Sequence, residues 1–134
     1  MISVGIDGGG STLRIGIYGE SLKCIHLHEL TETANPSIIG FKKAEEQLSS
    51  SLFQTMDEAG VDISEVQDVG AGMAGAAQNP DWLRNVLSKA MPQAKITVAP
   101  DYEIALIVAH GKRFGVLVLS GTGKIGRASC RERV

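Results

Sequence analysis

Two runs of alternating apolar residues flank a glycine loop in MISVGIDGGGSTLRIGIYG, and this pairing limits the fold more than any other stretch of the chain. Ile2, Val4 and Ile6 alternate with Ser3, Gly5 and Asp7, while Leu13, Ile15 and Ile17 alternate with Arg14, Gly16 and Tyr18. Period-two patterning predicts half-buried strands, so the segment reads as strand, tight loop, strand. Gly19-Glu20 then turns the chain into a third strand between Leu22 and Leu30, giving an antiparallel meander over the first thirty residues.

The pattern changes at ANPS, residues 34–37. Beyond it Phe41, Ala44, Leu48, Leu52, Met56 and Ala59 recur at threes and fours, and Gly60 stands where a helix C-cap is expected. VQDVGAGMAGAAQ, residues 66–78, reads as a short buried strand running into a glycine and alanine loop. Asn79 caps a second helix with Pro80 in its first turn, and Leu83, Val86, Leu87 and Ala90 form its apolar stripe, on which Trp82 packs as a core residue. KITVA, residues 95–99, is a strand; a third helix follows from Asp101 to Gly111, and FGVLVLSGTG is an apolar strand ending in a second glycine turn. This order, with right-handed crossovers, predicts a mixed sheet of three antiparallel strands joined to two parallel ones.

Charge and composition narrow the function. Lys124, Arg127, Arg131 and Arg133 against Glu132 leave +3 at residues 124–134, so a chain of net charge −2 has a body of −5. An acidic body argues against a nucleic-acid partner, which needs a basic face to displace counterions. No apolar run approaches the roughly 20 residues of a membrane span, and Met1 leads straight into a strand rather than a signal sequence; the expectation is a cytoplasmic protein with no membrane partner. Cys24 and Cys130 are far apart and lack metal-ligand spacing, which argues against a structural zinc site. His26 and His28 share one face of a strand, but the sequence supplies no third ligand beside them, and they read as surface or edge residues.

The glycine loops fit neither familiar nucleotide motif. A dinucleotide fingerprint needs a glycine at Leu13 and a helix after it, where this chain has a strand. A P-loop ending at Gly123-Lys124 would put Val118 at its first glycine and has Ile125 in place of Ser or Thr. A hairpin whose backbone N–H groups face an anion fits better: glycine allows close approach and positive φ, and Ser and Thr add donors. Asp7, at the end of the first strand, suits Mg²⁺ or its waters rather than phosphate. A purely structural turn remains the alternative for this loop taken alone. SGTG, residues 120–123, repeats the arrangement, and two such loops facing each other can clamp a polyphosphate.

The strand with DGGGST, then ANPS, GMAGAAQ, PDYEIAL and LVLSGTG, in this order and spacing, resembles the N-acetylglucosamine/glucosamine kinases of the BadF-type ATPase family, within the actin and hexokinase superfamily. The likeness runs from residue 2 to about 123. It implies an α/β fold of ribonuclease-H type, with a mixed five-stranded sheet, helices on both faces and the first strand of a second lobe. It implies ATP and Mg²⁺ as cofactors, and phosphorylation of the 6-hydroxyl of N-acetylglucosamine or glucosamine. Gly8, Gly9, Gly10, Ser11 and Thr12 would form the first phosphate loop, and Ser120, Gly121, Thr122 and Gly123 the second. Asp7 would serve the metal, Asn35 would hold sugar hydroxyls, and Gly72 and Gly75 would allow close approach of the sugar. Asp101 reads as an N-cap on sequence grounds alone; the resemblance makes it the catalytic base, although Pro100 stands where a polar residue commonly precedes that acid.

The resemblance also implies a division of the chain. Residues 1–112 would be the N-terminal lobe, 113–123 the first strand and phosphate loop of a truncated second lobe, and 124–134 a non-native or frame-shifted tail, since KIGRASCRERV is Arg-rich and loses alternation after Ile125. Such a chain is expected to be inactive alone, and a homodimer of the intact enzyme stays open. Two other functions compete. An ATPase activator of the same family would need cluster cysteines, of which the matching region has only Cys24. A non-catalytic sugar-sensing module would have no use for Asp101 and both phosphate loops.

Overall fold

The computed structural model describes residues 1–73 and 79–99. Strand β1 (Ile2–Gly8) pairs antiparallel with β2 (Leu13–Tyr18), which pairs antiparallel with β3 (Cys24–Leu30). A short helix α1 (Pro36–Ile39) and the long helix α2 (Phe41–Ala59) lead to β4 (Val66–Met73), and α3 (Pro80–Ala90) leads to β5 (Lys95–Val98). β4 lies parallel to β1, and β5 lies parallel to β4, so the sheet runs β3-β2-β1-β4-β5. This is the expected sheet of three antiparallel and two parallel strands.

Pairing register explains where the core sits. Val4 stands opposite Ile17 and Val69, and Ile6 opposite Ile15 and Ala71, so one face of the sheet is continuously apolar. Leu48, Leu52 and Met56 of α2 and Leu83, Val86 and Leu87 of α3 close over that face in one buried cluster. Each such side chain contributes about 1.5–3 kcal/mol on burial, well above the few tenths that separate most helix propensities, so packing fixes the rotation of both helices. The opposite face presents Ser3, Gly5, Gly16 and Gly70, all buried. The third helix expected from Asp101 and the strand expected at 114–119 lie outside the described residues.

Three local details differ from the sequence reading. α1 is a separate turn of helix, because Gly40 at φ 85° breaks the path between it and α2. Phe41, expected in the apolar stripe, opens α2 at 47% exposure, its ring meeting Trp82 edge to face at 5.5 Å. Asn79 stands at the cap position of α3 but makes no side-chain cap bond; at φ −139° and ψ 59° it lies outside the usual cap conformation, and only its carbonyl accepts, from Trp82 N–H at 3.2 Å. Gly60 does cap α2, in the left-handed conformation. Among the described residues no helix is long and apolar enough to cross a membrane.

Candidate active site

The parallel strands all end at one edge of the sheet. Asp7 stands beside Gly72, and Gly8 beside Met73, where β1 and β4 finish; Ala99 follows β5 and donates its N–H to Ala71 O at 2.9 Å. Ligands of open α/β sheets bind outside such carboxyl ends. β2 starts at the same edge, with Leu13 opposite Gly8 and Arg14 opposite Asp7.

Residues 9–12 cross between the two strands, and Gly9 N–H bonds Thr12 O at 2.8 Å. Two glycines here differ in their surroundings. A Cβ on Gly8 would fall 2.7 Å from Met73 Cγ, so that glycine makes room for the neighbouring strand, whereas a Cβ on Gly10 would meet nothing within 4 Å. Gly10 thus leaves open space on the loop for an approaching group. Positive φ, expected of these glycines, is not used: among the described residues it occurs at Gly40, Gly60 and Ser21.

Charge at this edge is arranged around Arg14, a residue that sequence reasoning assigned no role. Its Nη1 donates to Asp7 Oδ2 at 3.4 Å, and its Nε donates to Glu29 Oε2 at 2.5 Å. The guanidinium therefore spans two carboxylates on the strands that flank its own, with Asp7 bound at the longer distance. Asp7 is 30% exposed, and a hard cation that keeps most of its waters fits a partly open carboxylate of this kind. The signal was present in the sequence: Arg14 alternates with Leu13 and Ile15, so it points away from the core on the face of Asp7.

Thr33, also unassigned from sequence, ties the ANPS segment to the glycine loop. Its hydroxyl donates to Gly9 O at 3.4 Å and accepts from Asn35 N–H at 3.0 Å. Asn35 is 7% exposed, and its Oδ1 accepts from Ser37 N–H at 2.8 Å, capping α1. The cap uses the carbonyl end of the side chain and leaves the amide NH₂ as its donor. An open cleft of about 650 Å³ lies beside this segment, bordered by Glu32, Ile39, Lys43 and Ser50, and shares only Thr33 with it.

Of the residues singled out from sequence, Asp7, Gly8, Gly9, Gly10, Ser11, Thr12 and Gly72 thus meet at one sheet edge, with Asn35 joined to them through Thr33. Gly75, Asp101, Ser120, Gly121, Thr122 and Gly123 lie outside the described residues.

No protein-family model matches the chain. Over 127 residues it is 32% identical to an N-acetylmuramic acid/N-acetylglucosamine kinase of Clostridium acetobutylicum, covering 91% of this chain and 40% of that protein. Over 125 residues it is 28% identical to a glucosamine kinase of Vibrio cholerae, covering 92% and 42%. The crystal structure of a putative N-acetylglucosamine kinase from Chromobacterium violaceum superposes with a TM-score of 0.59 at 25% identity, over 82% of this chain and 38% of that one. The chain spans about two fifths of the length of these relatives. Its sheet is that of the ribonuclease-H-like, actin-like ATPase fold, and its sequence is similar over nine tenths of its length to the amino-sugar kinases.

Proposed function

We propose that this chain is the N-terminal lobe of an ATP-dependent amino-sugar kinase that transfers the γ-phosphoryl group to the 6-hydroxyl of N-acetylglucosamine or glucosamine. The observation that carries this reading is the single sheet edge where Asp7, the glycine hairpin and Gly72 meet, with Thr33 linking the hairpin to Asn35. Phosphoryl transfer needs positioning and charge stabilisation more than covalent chemistry, and an edge that brings together an open glycine loop, a carboxylate and a buried amide suits those needs.

In this reading the open side of Gly10, with Ser11 and Thr12, receives the phosphates, and Ser120, Gly121, Thr122 and Gly123 close on them from the second loop. Asp7 would hold Mg²⁺ or its waters, and the ion when bound would supply charge neutralisation for the phosphates. Arg14 fixes the Asp7 carboxylate in place. Asn35 offers its amide donor to a sugar hydroxyl, while Gly72 and Gly75 let the sugar approach the backbone. Asp101 accepts the proton of the attacking hydroxyl.

Because the chain spans two fifths of its relatives, this activity is proposed for the whole protein, and the 134-residue chain alone is expected to turn over no sugar. The test is a coupled ADP assay on the full-length protein with N-acetylglucosamine, glucosamine and N-acetylmuramic acid in parallel. Asp101→Asn should lower kcat by about a hundredfold or more while nucleotide affinity stays nearly constant. Loss of nucleotide binding to the same degree would assign Asp101 to capping or folding, and no turnover of any of the three sugars by the native protein would refute the substrate class.

A further inference from the structure

The two histidines of β3 have a third partner that lies far from them in sequence. In the antiparallel register His28 stands opposite Ile15 and His26 opposite Ile17, so both imidazoles project from the face that α2 covers. Glu58, in the last turn of α2, meets them there. Its Oε1 lies 3.0 Å from His26 Nε2 and 2.9 Å from His28 Nδ1, and the three ligand atoms fall within 4.8 Å of one another. Gln54, one turn earlier, donates its amide to Glu58 Oε2 at 3.1 Å, which holds the remaining carboxylate oxygen toward the imidazoles.

We propose that His26, His28 and Glu58 bind one divalent transition-metal ion of the zinc class, with water as fourth ligand, joining the edge strand β3 to the end of α2. Two imidazoles and one carboxylate are the donors such ions take, whereas calcium and magnesium favour oxygen alone. Bond lengths of about 2.0–2.2 Å set tetrahedral ligands roughly 3.3–3.5 Å apart. The two histidine–Glu58 separations of 2.9 and 3.0 Å therefore need to open by a few tenths of an ångström, and the two imidazole nitrogens, which lie within 4.8 Å of each other, need to reach the same spacing.

Two further features favour a cation at this point. Both imidazoles compete for one carboxylate oxygen, Glu58 Oε1. An ion between the three atoms lets each ligate separately. The last turn of α2 also carries Asp57 and Glu58 and no base, which places two carboxylates at the negative end of the helix dipole. A bound cation offsets both. His26 and Glu58 are 33% and 36% exposed against 14% for His28, so an ion can enter from the solvent side and meet an inner ligand.

The test uses the 134-residue chain stripped with a chelator at pH 7.5. Cobalt(II) titration should give saturable visible bands of a four-coordinate ion at one per chain, and one equivalent of zinc should raise Tm relative to chelator. Glu58→Gln and His26→Asn, at an exposed and a partly exposed position and checked for fold by far-UV circular dichroism, should each weaken binding by about tenfold or more and remove the Tm shift. The proposal is overturned by the absence of a saturable cobalt band, or by equal affinity in the native chain and both variants. It is also overturned by a Tm that ignores zinc and rises only on acidification, which would identify a histidine–carboxylate ion pair.

Discussion

Replacing Gly8 by alanine sets a methyl carbon 2.7 Å from Met73 Cγ, 3.0 Å from its Cε and 3.3 Å from its Cβ. Carbon atoms rest at about 3.5–4.0 Å, so the first of these contacts falls short by roughly 1 Å. Met73 is 3% exposed and has no solvent to swing into, and its Cβ is fixed by the ladder that pairs Met73 with Gly8 itself. Overpacking of this kind costs about 1–3 kcal/mol, while exchanging glycine for alanine within a strand returns about 0.5–1 kcal/mol. The net expectation is a loss of about 1–2 kcal/mol, read as a fall of roughly 0.5–1 M in the urea midpoint at unchanged slope. Unfolding is followed by circular dichroism in the native chain, Gly8→Ala, Met73→Ala and the double variant. Met73→Ala removes Cγ and Cε and leaves only the mildest contact, so Gly8→Ala should cost less in that background by at least about 1 kcal/mol. An equal penalty in both backgrounds would refute the packing argument and return Gly8 to a role in the loop alone.

Gly10→Ala should behave in the opposite way, since its added methyl meets nothing within 4 Å and Gly10 has no positive φ: urea stability should hold to within about 0.5 kcal/mol while ATP affinity of the full-length protein falls, and a large stability loss would count against an open loop. Asn35→Ala should lose both the cap on Ser37 N–H, about 1 kcal/mol of stability by thermal unfolding, and sugar affinity in the full-length protein; a stability loss with unchanged sugar affinity would leave Asn35 as a cap only. Asp62 accepts from the backbone N–H of Ser64 and then from its hydroxyl, which hold its carboxyl below 3.8. Its contribution to stability is therefore complete above pH 3.8 and lost as pH falls through the lowered folded value; a carboxyl-carbon NMR titration with a midpoint at or above 3.8 would contradict this.

The sheet was legible because its cause is local. Ile2, Val4 and Ile6 alternate, as do Leu13, Ile15 and Ile17, and a four-residue loop between such runs leaves antiparallel pairing as the simple outcome. α2 was legible for the same reason, its stripe from Ala44 to Met56 ending at a glycine that takes the left-handed cap. What escaped depends on exact backbone angles. The break at Gly40 detaches α1 and leaves Phe41 in a first turn, half in solvent, where a helical wheel continued backward would bury it.

The chemistry of the candidate site divides along the same line, since a sequence shows which residues sit at the end of a strand but not which side chain crosses to meet them. Asp7 and the glycine hairpin could be read because they are contiguous. Arg14 was seven residues from Asp7 and carried the right parity, yet its second partner, Glu29, becomes visible only once β3 is paired with β2. The histidine pair shows the limit most sharply: His26 and His28 face α2 by register, and a polar column of Gln47, Ser51, Thr55 and Glu58 runs down that helix beside its apolar stripe. Each half was on view in the sequence, one at period two and one at helical period. Joining them requires knowing that a helix 32 residues away lies across this strand, which is a fact of packing rather than of pattern. A polar column on an otherwise core-facing helix is therefore the signal to search for: paired with inward histidines on a strand, it marks a place where the fold has gathered ligands instead of burying apolar area.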